Sequence, residues 1–361
     1  MKKTILAAAA LGVGATAASA GGLERTPQSM AVLFEEGRYL ELSFGYVSPS
    51  VDGNTAALGG ASGDMLANYS NLGLAYKADL NDTLSYALIF DQPYGADTSY
   101  PTDTTYAFAG STAKVRSNAL SGILQYNTGN GASVYGGLRA QSLQAEAVLL
   151  PSTLNYTINS DTDYELGYLV GVAYERPEIA LRVALTYHSE TSHDLQLTET
   201  SNLDPTQTGP EQVNLPQALN LEFQSGVAED TLVFGSVRWV EWSETEIDPD
   251  LYNDRFPGFP PIVFFTDDRI TYTLGAGRRL NETWSILGSL SYEEQTGSAT
   301  GNLGPTDGFT SVSLGAVYTK DNMKITSGLR YVDIGDATSF SGANFTDNSA
   351  IAAGVRVGWS F

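Results

Sequence analysis

The sequence contains no cysteine, and only two of its 361 residues are histidines. Without cysteine the chain has no disulfide framework and no thiolate metal site, so its stability must have another source. It also lacks any second apolar run approaching the roughly 18 residues that a membrane-spanning helix requires. If this chain enters a membrane it must do so as a closed β-barrel, because only helices and closed barrels satisfy every backbone group in lipid.

Positive charge is scarce as well. Lysine and arginine total 19 against 41 acidic residues, which gives a formal net charge of −22. An acidic chain of this kind repels nucleic acid, so no nucleic-acid partner is expected. The chain is instead rich in glycine (37), tyrosine (20) and phenylalanine (14), with 17% charged residues. This mixture is typical of a membrane barrel, in which aromatic residues form girdles at both interfaces.

The first 20 residues predict a signal peptide that is removed on export. Lys2 and Lys3 precede an apolar run over residues 5–17, and the small residues 18–20 (Ala-Ser-Ala) follow it. This is the pattern of a secretory signal, and the run is too short to span a membrane as a helix. Its removal would leave 17 cations against 41 acids and a net charge of −24.

The last 13 residues, 349–361, predict a strand with two different faces. Every second residue from Ile351 onward lies on an apolar face, which ends with Val357, Trp359 and Phe361. The other face carries glycine, serine and one arginine. A membrane barrel turns the apolar face to lipid and lines its lumen with the other. We predict that Val357, Trp359 and Phe361 form the signal read by the barrel-assembly machinery.

Alternation of this kind recurs from residue 39 to the end, which predicts an all-β transmembrane antiparallel barrel over residues 39–361. Short polar turns alternate with longer segments, as expected for periplasmic turns and extracellular loops. Residues 21–38 lack alternation and form either an N-terminal segment tucked into the lumen or a disordered lead-in, with Leu23, Met30, Val32, Leu33 and Phe34 as its apolar residues. The predicted strands, about fourteen in number, are 39–49, 67–80, 84–94, 112–127, 132–148, 162–176, 178–191, 215–227, 231–247, 267–280, 283–294, 307–320, 323–334 and 348–361.

The predicted lumen face is crowded with small residues, as at Gly167, Gly171, Ser311 and Ser313. Two interpretations remain open, because channel lining and interior filling use the same residues. The small residues either leave room for a ligand passage or pack against a plug.

Five stretches together resemble the FadL/TodX family of outer-membrane transporters for long-chain fatty acids and other hydrophobic compounds. The most specific are LPQALNL at 215–221 and VRWVEWS at 237–243, which flank Thr231 and Leu232 after a tight turn. The others are GYVSP at 45–49, DQPYG at 91–95 and YVDIGDA at 331–337. With the strand number, the resemblance covers essentially the whole mature chain.

The resemblance implies a monomeric fourteen-strand barrel in the outer membrane of a Gram-negative cell, with residues 21–38 as an N-terminal hatch segment inside the barrel. It further implies capture of a hydrophobic molecule by the extracellular loops, and lateral release into the membrane through a kink in the third strand. Moving an acyl chain from lipid into water costs about 0.8 kcal/mol per CH₂, so an apolar opening in the wall is cheaper than an aqueous channel.

The predicted kink consists of Phe90, Gln92, Pro93, Tyr94 and Gly95. Pro93 has no backbone donor and Gly95 permits geometry closed to other residues, so pairing should be interrupted here. The alternative is that Pro93 lies above the membrane and merely starts a loop.

The sequence departs from the family pattern in two places. Gln28, Ser29, Met30 and Ala31 replace the family's Asn-Pro-Ala, and the segment before them is shorter. The loop near 149–161 is also too short for the family's outer capture lobe. Capture is therefore assigned to an apolar loop, or that loop simply packs on its neighbours. Its residues are Phe256, Phe259, Ile262, Phe264 and Phe265.

Lumen cations are candidates for binding the ligand's polar end, and the predicted set is Arg116, Arg139, Gln144, Arg330 and Arg356. Gln144 is included because the family places a basic residue at about this position. The alternative is that an inward arginine pairs with a wall carboxylate such as Glu165 or Glu175.

Two other functions are compatible with parts of the sequence. A diffusion porin for small polar solutes would need an open aqueous lumen, which a shortened hatch favours. An outer-membrane hydrolase would use His188 or His193 beside Ser189 and Asp194, but spacing alone fixes no catalytic constellation. The sequence thus predicts no enzyme, no cofactor and no metal site. The expected partners are a hydrophobic small molecule, outer-membrane lipid and lipopolysaccharide, and the barrel-assembly machinery.

Overall fold

The computed structural model describes residues 22–150 and 152–361. The predicted signal peptide, residues 1–20, lies outside the described residues. Within the described ranges, the helices are too short or too polar to cross a membrane.

Fourteen long strands form the wall, and each alternates an exposed apolar face with a buried, mostly small or polar face. Leu138 is 66% exposed, for example, whereas the neighbouring Arg139 is 5% exposed. The strands are β1 Tyr39–Ser50, β2 Tyr69–Asp79, β3 Leu84–Asp91, β4 Thr112–Asn127, β5 Ala132–Leu149, β6 Asp163–Arg176, β7 Leu181–His188, β8 Ala218–Ala228, β9 Thr231–Val240, β10 Arg269–Arg279, β11 Trp284–Glu293, β12 Phe309–Lys320, β13 Met323–Ile334 and β14 Asn348–Ser360.

The sheet closes on itself because β1 pairs with both β2 and β14. Tyr39 lies opposite Ser360 and Ser50 lies opposite Ser349, so the β1–β14 seam is paired over its full length. Each neighbouring pair around the wall is antiparallel. Closure removes the free edges that an open sheet would expose. The predicted all-β barrel of about fourteen strands is thereby confirmed.

The two ends of the barrel differ. At the turn end, two to four residues join strands, as between Asp79 and Leu84 or between Lys320 and Met323. At the loop end, longer segments fold over the opening. Their shorter elements are Gly53–Thr55, Ala56–Leu58, Gly60–Ala61, Gly95–Ser99, Tyr156–Ser160, Thr191–Thr200, Gln207–Leu215, Trp242–Glu244, Glu246–Ile247, Asp250–Arg255, Val263–Phe264, Ala337–Thr338 and Asn344–Phe345. Asp250–Arg255 is the α-helix among them.

The boundaries of three predicted segments were wrong. The segment 192–214, predicted as a loop, forms a hairpin of Thr191–Thr200 and Gln207–Leu215 that also pairs with Tyr156–Ser160. Its alternating leucines and valines are buried in the lobe above the wall, which is why they form strands. The strand predicted over 231–247 ends at Val240, and the 3₁₀ turn Trp242–Glu244 follows it. The strand predicted over 178–191 covers Leu181–His188, because the 3₁₀ turn Pro177–Ile179 precedes it and the loop-end hairpin begins at Thr191.

The lumen is filled by the N-terminal segment, residues 22–38, which we call the hatch. It contains the 3₁₀ turn Ala31–Phe34. Met30, Val32 and Leu33 are buried against small and apolar side chains of the wall, and Phe34 packs edge-on against Tyr135. The structure thus places the predicted hatch residues inside the barrel, and the small lumen side chains make room for them.

Candidate functional site

The third strand is interrupted after Asp91. Strand β3 pairs with β4 up to Asp91 opposite Ala119, and pairing with β4 resumes at Gly95 opposite Arg116. Three residues, 92–94, therefore face two residues of β4, and the extra residue forces the chain out of the wall. Pro93 and Tyr94 are buried inside the barrel. Pro93 thus lies at a break in the ladder of the wall, and the predicted strand 84–94 ends three residues early, at Asp91. The role of this break as a lateral opening stays a prediction.

The hatch takes up the backbone groups that this break leaves free. The Arg25 N–H donates to the Pro93 carbonyl at 2.7 Å, and the Gly95 N–H donates to the Leu23 carbonyl at 2.8 Å. Glu24 and Tyr94 lie between these two bonds as an antiparallel pair. An unsatisfied amide in a membrane wall would be costly, so the interruption and the hatch stabilise each other.

Arg25 fixes this contact from the lumen side. Its guanidinium forms an ion pair with Asp97 at 2.5 Å and stacks on the ring of Tyr69 at 4.2 Å. Its carbonyl accepts a hydrogen bond from Asn71 Nδ2 at 2.9 Å. A Cβ on Gly95 would lie 2.5 Å from Arg25 Nε. Glycine is therefore favoured here by the close approach of the Arg25 side chain, and not by a positive φ as the sequence argument implied.

Further polar contacts hold the hatch along its length. Glu24 pairs with Arg238 of β9 at 2.6 Å, and Glu35 pairs with Lys324 of β13 at 2.9 Å. The Ser29 hydroxyl donates to Glu222 of β8 at 2.5 Å. These anchors lie on β8, β9 and β13, so the hatch is held to more than one part of the wall.

An apolar cavity of about 100 Å³ lies between the hatch and the loops, and we call it the outer cavity. Its charged lining residues are Arg25 and Asp97, which neutralise each other. Gly95 and Ala96 of the resumed third strand form part of its floor. The remaining lining is mostly apolar and includes Leu23, Val47, Leu66, Val115, Ile262, Val263, Phe264, Phe265, Leu303 and Ile334.

A second cavity, of about 110 Å³, penetrates the wall itself, and we call it the wall cavity. It is lined by lumen residues such as Asp91 and Arg139 and also by Phe44, Leu72 and Leu74, each more than 40% exposed on the outer face. The opening arises because β2 pairs with β3 only from Leu74 to Asp79. The stretch of β2 before Leu74 has its ladder on the β1 side alone.

Gln92 spans the opening with its side chain. Its Oε1 accepts the Leu72 backbone N–H at 2.9 Å, and its Nε2 donates to Asn118 Oδ1 at 3.1 Å. One side-chain amide thus replaces a missing backbone bond and joins β2 to β4 across the gap. Phe90, the remaining predicted kink residue, lines the wall cavity.

The predicted capture loop divides into two parts. Ile262, Phe264 and Phe265 line the outer cavity, and Ile262 is 6% exposed. Phe256 and Phe259 lie farther out, where the Phe259 ring is 52% exposed and lies 5.7 Å from the ring of Phe340. A small aromatic recess of about 30 Å³ connects the two parts through shared lining residues. Packing on neighbouring residues therefore describes Ile262, Phe264 and Phe265, whereas capture by this loop stays a prediction.

The predicted lumen location was wrong for two residues. Arg116 and Gln144 lie on the outer face, on opposite strands of the β4–β5 pair, and the Arg116 side chain is 51% exposed. Arg116 shares its parity with the lipid-facing Leu120 and Leu124, and Gln144 shares its parity with Leu138. Alternation within each strand would have excluded both.

Arg139, Arg330 and Arg356 do lie on the lumen face. Arg356 pairs with Glu41 at 3.1 Å, and Arg330 donates to Ser311 at 3.0 Å. Arg139 contacts Gln28 of the hatch and the ring of His188. The predicted pairing of an inward arginine with Glu165 or Glu175 is not what holds Arg139.

Sequence reasoning missed Arg25 and Arg238, which hold the hatch at the interruption. The VRWVEWS motif indicates that Arg238 faces the lumen, because Arg238 alternates with residues that face lipid. Trp242 of the same motif is 1% exposed and packs on Tyr94, with 5.4 Å between ring centroids. Arg25 stands in a segment without periodicity, which left it without a local signal.

The two histidines do not form a catalytic group. His188 is buried in the lumen beside Arg139. His193 is in the loop-end hairpin, where Nδ1 lies 3.0 Å from Asp163 and Nε2 lies 3.2 Å from the Thr191 hydroxyl. No cluster of three or more potential metal-ligating side chains occurs in residues 22–150 and 152–361.

Residues of the predicted assembly signal all face outward on β14. Phe361 is 73% exposed, and its backbone N–H donates to the Arg38 carbonyl at 2.9 Å. Their recognition by the assembly machinery stays a prediction.

The chain was compared with known families and structures. Residues 3–355 match the family described as outer membrane protein transport protein (OMPP1/FadL/TodX). No curated protein matches the sequence.

Several solved structures share the fold. A Pseudomonas aeruginosa FadL homologue is similar with a TM-score of 0.76 and 13% identity, covering 97% of this chain and 98% of that one. The Ralstonia pickettii toluene transporter TbuX is similar with a TM-score of 0.65 and 16% identity, covering 96% of this chain and 97% of that one. The Pseudomonas putida toluene transporter TodX is similar with a TM-score of 0.65 and 12% identity, covering 91% of each chain.

Proposed function

We propose a route for hydrophobic molecules through this chain, which belongs to the outer membrane protein transport family (OMPP1/FadL/TodX). The family and the similar structures are transport channels, so the protein is an outer-membrane transporter of hydrophobic compounds and not an enzyme. In our proposal, a substrate is captured by the exposed aromatics at the loop end, held in the outer cavity, and released sideways into lipid at the third strand.

The observation that carries this proposal is the position of the interrupted strand between two cavities. Gly95 and Ala96, after the break, line the outer cavity, whereas Phe90 and Asp91, before the break, line the wall cavity. The hatch is the partition, because Arg25 lines the outer cavity and the next residue, Thr26, lines the wall cavity. A small displacement of residues 24–26 would join the two.

The physical argument favours a sideways exit over an aqueous one. The outer cavity is mostly apolar, and a hydrocarbon in it has already left water. Each CH₂ returned to water would cost about 0.8 kcal/mol, whereas the exposed faces of Phe44, Leu72 and Leu74 beside the wall cavity offer a lipid-like path. The paired charges of Arg25 and Asp97 impose no charge requirement on the ligand in the outer cavity. Neutral compounds, such as the toluene named for two of the similar proteins, and long-chain fatty acids are both compatible with it.

A reversible lock between hatch and kink tests the route. Glu24 and Tyr94 form a non-hydrogen-bonded antiparallel pair, the arrangement in which Cα atoms lie about 4.5 Å apart and a disulfide can form. The chain has no cysteine of its own, so an E24C/Y94C variant would contain a single possible disulfide. It would be expressed in a host that lacks its own outer-membrane fatty-acid transporter, and heat-modifiable barrel assembly would be verified.

We expect the oxidised double variant to lose uptake of labelled oleate and toluene, and the reductant to restore it. The two single-cysteine variants are the matched controls, because each loses one of the two side chains and neither can form the disulfide. Uptake that persists in the oxidised protein would refute passage past the hatch. Entry of small polar solutes into the wild type, with no hydrophobic uptake, would support the diffusion porin instead.

A further inference from the structure

Two exposed cations lie on the outer face of the wall, next to the third strand. The side chains of Lys114 and Arg116 on β4 are 45% and 51% exposed. Both residues share their parity with Leu120 and Leu124, which face lipid. Because outward residues of one strand recur about every 7 Å, a single small anion can contact both side chains.

These cations lie just beyond the hydrocarbon band of the wall. Tyr164 of β6 is 72% exposed and lies opposite Ser142 of β5, which in turn lies opposite Asn118 of β4. Exposed aromatic residues of this kind mark the interfacial girdle of a membrane barrel. Arg116 and Lys114 follow Asn118 on the outer face toward the loop end, so they lie at the level of the outer headgroups.

The positive charge of Arg116 is largely uncompensated. Its Nη2 lies 4.0 Å from Asp97 Oδ1, and Asp97 is already neutralised by Arg25 at 2.5 Å. The Lys114 Nζ lies 3.7 Å from Glu146 Oε1. Both separations exceed the roughly 3.2 Å of an N–H···O hydrogen bond, so both cationic groups can still donate to a ligand.

Exposed cations are otherwise scarce at the loop end. Within residues 22–150 and 152–361, the third one there is Arg255, whose guanidinium donates two hydrogen bonds to Asp204. An anionic headgroup in the outer leaflet therefore meets one uncommitted pair of cations on an otherwise acidic surface. The remaining exposed cations lie at the turn end and are Arg38, Arg176, Arg278 and Lys320.

We propose that Lys114 and Arg116 form a docking site for a phosphate group of lipopolysaccharide. Phosphate suits this pair, because the arginine fork can bind two of its oxygens and the lysine adds a point charge. The exposed Gln144 lies opposite Arg116, and its amide can donate to the same group. The acyl chains would then run along Leu120, which lies opposite Phe90 at the wall cavity. This site depends on the outer-membrane location of the protein and not on the proposed route.

Native mass spectrometry of the assembled barrel in detergent, with divalent ions chelated, would measure binding of lipid A that carries two phosphates. Heat-modifiable assembly of each variant would be verified first. We expect K114Q/R116Q to bind this lipid roughly tenfold more weakly than the wild type, or weaker still. E146Q should bind it more tightly, because Lys114 loses its competing carboxylate. R278Q should bind like the wild type and is the matched control, since Arg278 is an exposed, outward arginine at the turn end.

Three results would overturn the inference. Equal losses in R278Q and K114Q/R116Q would mean that any surface cation serves, and weaker binding by E146Q would contradict competition for Lys114. A similar dependence of dephosphorylated lipid A on the cation pair would show that phosphate is not the contact.

Phosphatidylglycerol distinguishes the two lipid sources of phosphate. Its phosphodiester carries a single charge, so its binding should change by less than about twofold in K114Q/R116Q. A roughly tenfold change would overturn the assignment to lipopolysaccharide and indicate a site for anionic lipids in general.

Discussion

The contact between Gly95 and Arg25 yields a quantitative prediction for the hatch. In a Gly95→Ala variant the new methyl group would lie 2.5 Å from Arg25 Nε and 2.7 Å from Cζ. The backbone of Arg25 cannot retreat easily, because its N–H and its carbonyl are both hydrogen-bonded. We therefore expect the guanidinium to move away from Asp97 and Tyr69, while the barrel itself stays intact.

The size of the effect follows from the contacts that are lost. A buried charge-assisted hydrogen bond contributes about 1.5–3 kcal/mol, and a cation–π contact contributes about 0.5–1 kcal/mol. Their loss would weaken hatch docking by about 2–4 kcal/mol. Because each 1.4 kcal/mol is a factor of ten, the detached population should rise by roughly 30-fold to several hundredfold.

Hydrogen exchange of the Arg25 amide, measured by mass spectrometry on peptides covering residues 22–30, reports this detachment. Gly209→Ala is the matched control, because a Cβ at Gly209 meets no atom within 4 Å. Exchange in Gly95→Ala that equals exchange in the wild type and in Gly209→Ala would refute the view that Arg25 secures the hatch to the kink.

Two further predictions concern the wall and the loop-end lobe. In a Gln92→Leu variant the Leu72 amide loses its acceptor, so the barrel should lose about 1–3 kcal/mol of stability and melt at a lower temperature. Gln92→Glu keeps the acceptor and should lose less stability. Equal melting temperatures of the two variants and the wild type would contradict the bridging role. Burial lowers the pKa of His193, and hydrogen bonding to Asp163 only partly opposes this. The unfolded hairpin then binds more protons than the folded one, so its stability should fall as the pH drops through the unfolded value of 6.5. Amides of the 191–215 hairpin should exchange faster at pH 5.5 than at pH 7.5 after correction for intrinsic rates, and His193→Gln should abolish this difference; an unchanged pH response in that variant would contradict the assignment.

The alternation of apolar and polar residues predicted most of the fold. Successive side chains of a strand point to opposite faces, so a local pattern reports the two environments of a barrel wall without knowledge of its neighbours. This is why the outward face of β14 and the number of strands were predictable. The same rule, applied consistently, would have placed Arg116 and Gln144 on the outer face. The loop-end hairpin of Thr191–Thr200 and Gln207–Leu215 also alternates, so the same rule indicates strands in the segment 192–214 that was predicted as a loop.

Pro93 likewise gave a local signal for the break in the third strand, since proline removes a donor from any ladder. The sequence by itself thus determined the barrel, its two faces and the place where the wall is weak. Only the tertiary structure decided what fills that place. Arg25 is far from Gly95 and Asp97 along the chain and lies in a segment without periodicity. Arg139 lines the wall cavity from β5, two strands from β3 around the barrel. These contacts depend on how backbone hydrogen bonds lost between β2 and β3 are satisfied in three dimensions, which no local pattern of side chains records.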